Sequence, residues 1–151
     1  STTFLRGDNT FATAGATAGQ VIQVLSATDS TQRSTTSTSF ATGSNTLSVT
    51  ITPLNSSSKF FISVMGQVQN GTASFSYTLY RGSTNLGDAT NGLGYIGGGN
   101  AVPIGINYYD SPATSSAVTY QFYMRTGSVD FATEINLGGK KSMITVFEIK
   151  G

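Results

Sequence analysis

Seven acidic residues are all that this chain has for carboxylate chemistry, and only Asp130 and Glu134 lie close together in sequence. A spacing of four would align them on a helix, whereas on a strand it places both on one face some two pleats apart. A glycosidase needs two carboxylates flanking a sugar bond at about 5 to 9 Å. Asp88, Asp110, Asp130 and Glu134 would have to be brought together from different loops to supply such a pair. Turn residues and solubilising charges are the plainer reading of all four. With no Cys and no His, disulfides, the usual zinc sites, thiol nucleophiles and imidazole bases are excluded. No catalytic constellation is present, and nothing calls for a cofactor or a metal.

Three short motifs invite chemistry and do not sustain it. The Gly97-Gly98-Gly99 run lacks the lysine and the spacing of a phosphate-binding loop. Arg6-Gly7-Asp8 matches an integrin-type triplet, but three residues carry little information, and Gly-Asp-Asn is ordinary turn chemistry. Lys140-Lys141 follows two glycines and reads as a tight charged turn. Asp29 and Arg33 are spaced to pair across a polar loop, where an exposed ion pair contributes at most about 1 kcal/mol.

Tyrosines are the more informative group. Tyr80, Tyr108, Tyr109 and Tyr123 fall off the apolar phase of their strands or at strand ends, and an aromatic face carrying a hydroxyl suits sugars and proteins. Tyr95 stands with Ile96 in a glycine-rich stretch, Gly82 to Asn100, read as a flexible surface loop. Such loops on a rigid scaffold are where recognition tends to sit. The candidate ligand-binding positions are therefore Tyr95, Tyr108, Tyr109 and Asp110.

The elements that must position these residues are strands. Charged residues make up 10% of the 151 residues and the net charge is +1, so no electrostatic footprint for nucleic acid or an anionic membrane is visible. Serine (20) and threonine (23) together outnumber charged residues nearly three to one. Such hydroxyl content, with β-branched and aromatic residues, points to short strands and turns. An apolar fraction of 38% argues for a folded domain. One domain is expected at this length. No basic region followed by an apolar run opens the chain, and no segment approaches a membrane span. Ser1 in place of Met suggests a processed or excised fragment.

Residues 1–19 read as an extended leader whose Phe4, Leu5 and Phe11 need another surface to bury against, and residues 20–151 as a head domain. Gln20 to Ser26 is apolar on both faces, so its strand is buried on both sides or has one face at a subunit interface. Ala27 to Thr46 reads as a polar loop with one short strand ending near Phe40. Leu47, Val49 and Ile51 alternate with polar residues in a strand closed by Pro53. Lys59 to Gln69 alternates around Gly66, where a bulge or a close backbone approach is expected. Asn70-Gly71 is a type I′ hairpin signal and predicts pairing with the strand at Ala73 to Arg81. Pro103 to Thr126 reads as a second hairpin, hinged on Asp110-Ser111-Pro112. In it Val118, Tyr120, Phe122 and Met124 form one buried face, and Pro103 marks a strand start or an edge. A short strand around Asp130 to Leu137 follows, and Ser142 to Lys150 gives the last, again partly apolar on both faces. Eight or nine short strands without a helical period predict an all-β fold, an antiparallel β-sandwich of jelly-roll kind.

Several ordered segments carry a resemblance: GQVIQVLSATDSTQRSTTSTSFATGSNTLSVTITPLNSSSKFFISV, then YRGSTNLG, PIGINYYDSPATSSAVTYQFYMRT and SMITVFEIKG. Together they resemble a domain common at the C-terminus of tailed-bacteriophage fibre and other virion proteins, particularly from phages of marine and cyanobacterial hosts, over about Gly19 to Gly151. The FLRGDNTFA opening is similar to the short repeat that leads from fibre shaft into head. The resemblance implies a homotrimeric β-sandwich head on the virion. It would contact a host-surface glycan, lipopolysaccharide or outer-membrane receptor without catalysis, and would join other virion proteins through the leader. It implies no nucleic-acid partner and no particular binding residue. A purely structural capsid, neck-fibre or decoration protein is the alternative, and a polysaccharide depolymerase a third reading.

Overall fold

The computed structural model describes the backbone of residues 3–5, 7, 11–13 and 15–151, and side chains from residue 15 onward. Arg6 and Asp8 of the integrin-type triplet lie outside the described residues, as do the side chains of Phe4, Leu5 and Phe11.

Two short strands, β1 (Thr3–Leu5) and β2 (Phe11–Thr13), pair with each other alone. Eleven more follow: β3 (Val21–Asp29), β4 (Arg33–Thr35), β5 (Ser48–Ile51), β6 (Lys59–Asn70), β7 (Phe75–Arg81), β8 (Thr84–Asn85), β9 (Gly94–Ile96), β10 (Ala101–Asp110), β11 (Val118–Thr126), β12 (Thr133–Ile135) and β13 (Ser142–Ile149). A 3-10 turn at Leu137–Gly139 is the one helical element among the described residues. The short strand expected near Phe40 sits earlier, at β4, and the glycine-rich stretch expected to be a loop carries β8 and β9 pinned to β7.

The strands form two antiparallel sheets, consistent with a β-sandwich. In the first, β6 is central: β10 pairs along one side from Phe60 to Gln69, while β13 and then β12 share the other side. Outside them lie β3 and β4. The second runs β5, β11, β7, with β8 and β9 at opposite ends of the far side of β7. Their facing residues make the core. Phe60, Ile62, Val64, Val68, Ile104, Ile106, Ile144 and Val146 come from the first sheet, and Val49, Ile51, Phe75, Leu79, Tyr120, Phe122 and Met124 from the second.

Alternation located the buried faces correctly in β5, β6, β10 and β11, but both expected hairpins are wrong. β6 and β7 belong to different sheets, as do β10 and β11, so each connection is an arch crossing the core. The physical reason is that alternation specifies which face is buried, not which neighbour is hydrogen-bonded. Two consecutive strands with inward apolar faces satisfy the same core as a hairpin or as an arch, and β6 already has both edges filled. Neither Asn70 nor Gly71 takes the positive φ of a type I′ turn. Instead the Asn70 side chain is buried and its Nδ2 donates to the Ser74 carbonyl at 2.7 Å, closing the arch.

Gly66 shows the expected close approach, because a Cβ there would collide with the Ser142 hydroxyl across the sheet. Pro103 lies on β10, an edge strand bonded only to β6, where a missing N–H costs no ladder bond. β3 is the opposite edge. It is not buried on both sides: Val21, Val24 and Leu25 are exposed.

Candidate functional site

At one end of the sandwich, β7 finishes at Arg81 and Gly82 turns the chain into β8 with a φ of 56° that glycine adopts without strain. In the other sheet β10 finishes at Asp110, and residues 111–117 arch over to β11. Between the turn and the arch lies an open cleft of about 390 Å³. Arg81, Ser83, Thr114 and Thr119 supply its polar lining, with Gly82, Pro112, Ala117 and Val118 completing the walls.

Through Arg81 this cleft adjoins a hydrogen-bond network between the sheets. Nη1 of Arg81 donates to both carboxylate oxygens of Asp110, at 2.7 and 2.9 Å. The Tyr120 hydroxyl donates to Oδ2 of Asp110 at 2.7 Å. Burial pushes the Tyr120 phenol well above the usual tyrosine range, and its hydrogen bond to Asp110 adds to the shift, since an anion beside it would be repelled. Asp110 and Tyr120 are both buried. The Arg81 side chain keeps 29% of its surface, and its Nε and Nη2 donate to no described residue.

Asp110, expected as a surface contact, is only 8% exposed and spends its oxygens inside the protein. Tyr108 is also turned inward, packing against the core edge, because β10 buries its even-numbered positions. Tyr109 points the other way and is 58% exposed. Tyr95, equally exposed, pairs with Ser76 at the far end of β7 from Arg81. The four expected contacts therefore do not form one site. Tyr80 and Tyr123 stack with ring centroids 4.0 Å apart on the outer face of the second sheet.

The carboxylates are scattered. Asp88 is fully exposed and accepts the N–H groups of Asn91 and Thr90, which hold its carboxyl below the usual range. Asp130 lies in a turn before β12, not on a shared strand face with Glu134. Glu134 accepts from Gln32 Nε2 at 3.0 Å and sits opposite Gln69, whereas Asp110 sits opposite Phe60 at the other end of β6. Among the described residues no three His, Cys, Asp or Glu side chains gather to hold a metal.

Arg81, Ser83 and Thr114 are the site residues that sequence reasoning missed. No local spacing signals them, since Arg81 and Asp110 are 29 positions apart on strands of different sheets. Comparison with known proteins finds no matching family model and no curated protein that matches the chain.

Proposed function

We propose that this chain is the host-facing tip of a bacteriophage fibre, a non-catalytic jelly-roll head that binds a cell-surface glycan or lipopolysaccharide. The observation that carries the reading is the open, hydroxyl-lined cleft with a guanidinium edge that donates to no described residue, held between two loops on a rigid frame. Saccharides are recognised by such convergent donors and acceptors on preformed surfaces. The family resemblance of the ordered segments points the same way, and with it a place on the virion, where the leader joins other virion proteins.

The reading includes a homotrimer, and the outer face of the first sheet supports it. Register aligns Tyr109, Phe61, Phe147 and Val24 in one row across β10, β6, β13 and β3. Two rows along, Gly105, Met65, Met143 and Thr28 are aligned likewise. Phe61 and Phe147 contact each other at 6.1 Å, and Met65 is 55% exposed. Lys59 at the rim is the one charged residue among the outward positions of these four strands. Between these two rows lies a polar but uncharged one, Asn107, Ser63, Thr145 and Ser26, so the face carries apolar stripes that further copies of the chain can cover without like-charge repulsion.

Light scattering together with binding of labelled protein to intact bacteria and their purified surface polysaccharide tests the proposal. The expected result is a trimer that binds cells and loses binding when Ser83→Trp fills the cleft, while Met65→Lys lowers the mass toward that of the monomer. Failure to bind any cell or polysaccharide refutes the receptor reading. A trimer that binds none is the behaviour of a structural virion protein.

A further inference from the structure

Building on the glycan-binding reading, we propose that the cleft selects a sugar bearing a carboxylate, gripped by the Nε–Nη2 edge of Arg81. A guanidinium has five N–H donors in a rigid plane. Asp110 takes the Nη1 corner with two bonds, at 2.7 and 2.9 Å, and is itself held by Tyr120. The plane of Arg81 is thereby set before any ligand arrives, so little side-chain entropy remains to be lost on binding.

The remaining edge, one N–H on Nε and one on Nη2, is the pair of parallel donors that matches a carboxylate bidentately. In this structure it bonds no described residue while the side chain lines the cleft. Asp110 occupies the opposite corner of the guanidinium, and no other lining residue is charged. A monoanion approaching the free edge therefore meets a cation first and an anion only at longer range. The surroundings narrow the class further. Ser83 and Thr114 offer hydroxyls for ring hydroxyls, and Pro112 and Ala117 offer small apolar surfaces for sugar C–H groups. No aromatic ring lines the cleft, which disfavours ligands that bind by stacking, and a single, partly neutralised cation is a poor match for a phosphate dianion. A volume of about 390 Å³ is near the lower end of ligand pockets, roughly 300 to 1,000 Å³, and suits one or two sugar rings.

Titration of the 15N-labelled protein with glucuronic, galacturonic and N-acetylneuraminic acids, beside glucose and galactose as carboxyl-free counterparts, tests this by NMR. At least one acid is expected to shift the Arg81 Nε–H resonance and the amides of residues 81–83 and 113–119. The carboxyl-free sugar should bind about tenfold more weakly or worse, the scale of a lost charged hydrogen bond. Ser83→Trp, on an exposed turn away from the Arg81–Asp110 bond, should abolish these shifts, and Arg81→Lys, which keeps the charge and loses the fork, should weaken binding about tenfold. If Arg81→Lys does not fold, the Ser83→Trp result and the acid-to-neutral ratio decide. Equal affinity for acid and neutral sugars, or shifts confined to residues away from the cleft, overturns the inference. Binding of bacteria by the protein with no acidic sugar in the cleft overturns it while leaving the fibre-tip reading intact. Acidic sugar in the cleft without cell binding supports it and counts only against that reading.

Discussion

Replacing Asp110 by alanine should be among the most damaging single changes in this protein, although the residue stands at a strand end. Two groups lose their partner. The Tyr120 hydroxyl, on a fully buried residue, is left without an acceptor, which costs about 1 to 3 kcal/mol. Arg81 is left without its counter-ion, and removing one member of a buried pair costs about 3 to 5 kcal/mol. With 29% of the Arg81 side chain in solvent, water recovers part of the second cost, and a total of about 3 to 4 kcal/mol is expected. For a domain of this size that corresponds to a fall in Tm of roughly 6 to 16 °C. Asp110→Asn keeps one acceptor and loses the charge, so about 2 kcal/mol is expected for it. Urea unfolding with an unchanged m-value measures both. A double-mutant cycle gives the sharper result. Tyr120→Phe should cost about 1 kcal/mol alone and turn stabilising by about 1 kcal/mol or more in the Asp110→Ala background, where it removes a buried hydroxyl that has lost its acceptor. A loss below about 1 kcal/mol for Asp110→Ala, or additive single effects, would refute the claim that these three residues act as one unit. The same network predicts alkaline sensitivity. The Tyr120 phenol titrates higher folded than unfolded, so its contribution is complete below the unfolded value near 10 and is lost as pH rises above it. Tyr120→Phe should flatten that limb, leaving the smaller slope due to Tyr77, whose phenol burial also raises.

Asp29 predicts the opposite limb. Burial pulls its carboxyl upward, but the N–H groups of Thr46 and Thr31, together with Arg33, outweigh that and hold it below the ordinary value. Its stabilisation is present above pH of about 4 and lost as pH falls further, so Asp29→Asn should give a shallower acid limb in urea midpoints recorded from pH 2 to 7. Gly66→Ala drives a methyl into the Ser142 hydroxyl, which donates to Asn136 at 2.5 Å. A loss of about 1 to 3 kcal/mol is expected, with partial recovery when Ser142→Gly is added. Thermal melts of the three variants check it, and a neutral Gly66→Ala would show that the strands simply spread.

Much of this architecture was legible from residue order. In β5, β6, β10 and β11 the period of two named the buried side chains, because one buried face imposes that period on any strand whatever its neighbours. Edge character could be read at Pro103 from a missing donor, and the crowding at Gly66 from a missing side chain. The apolar second face of Gln20 to Ser26 was visible too, and in the structure it lies on the exposed side of an edge strand.

Pairing was not legible. Asn70-Gly71 carries a strong local hairpin preference, yet β6 is flanked by β10, β12 and β13, drawn from far along the chain. Those long-range ladders override a turn preference that concerns two residues. The site suffered the same limit. Tyr108 and Tyr109 are neighbours in sequence and point to opposite faces, Tyr95 sits at the other end of its sheet, and Asp110 is occupied by Arg81 and Tyr120. By itself the sequence determined the all-β fold class, the buried phase of β5, β6, β10 and β11 and the exclusion of thiol and imidazole chemistry. All of these follow from residue types and local spacing. Only the tertiary structure decided which strands share a sheet, that Arg81 meets Asp110 across the core, and that a cleft opens beside them, because each depends on residues that sequence distance leaves unrelated until the two sheets close.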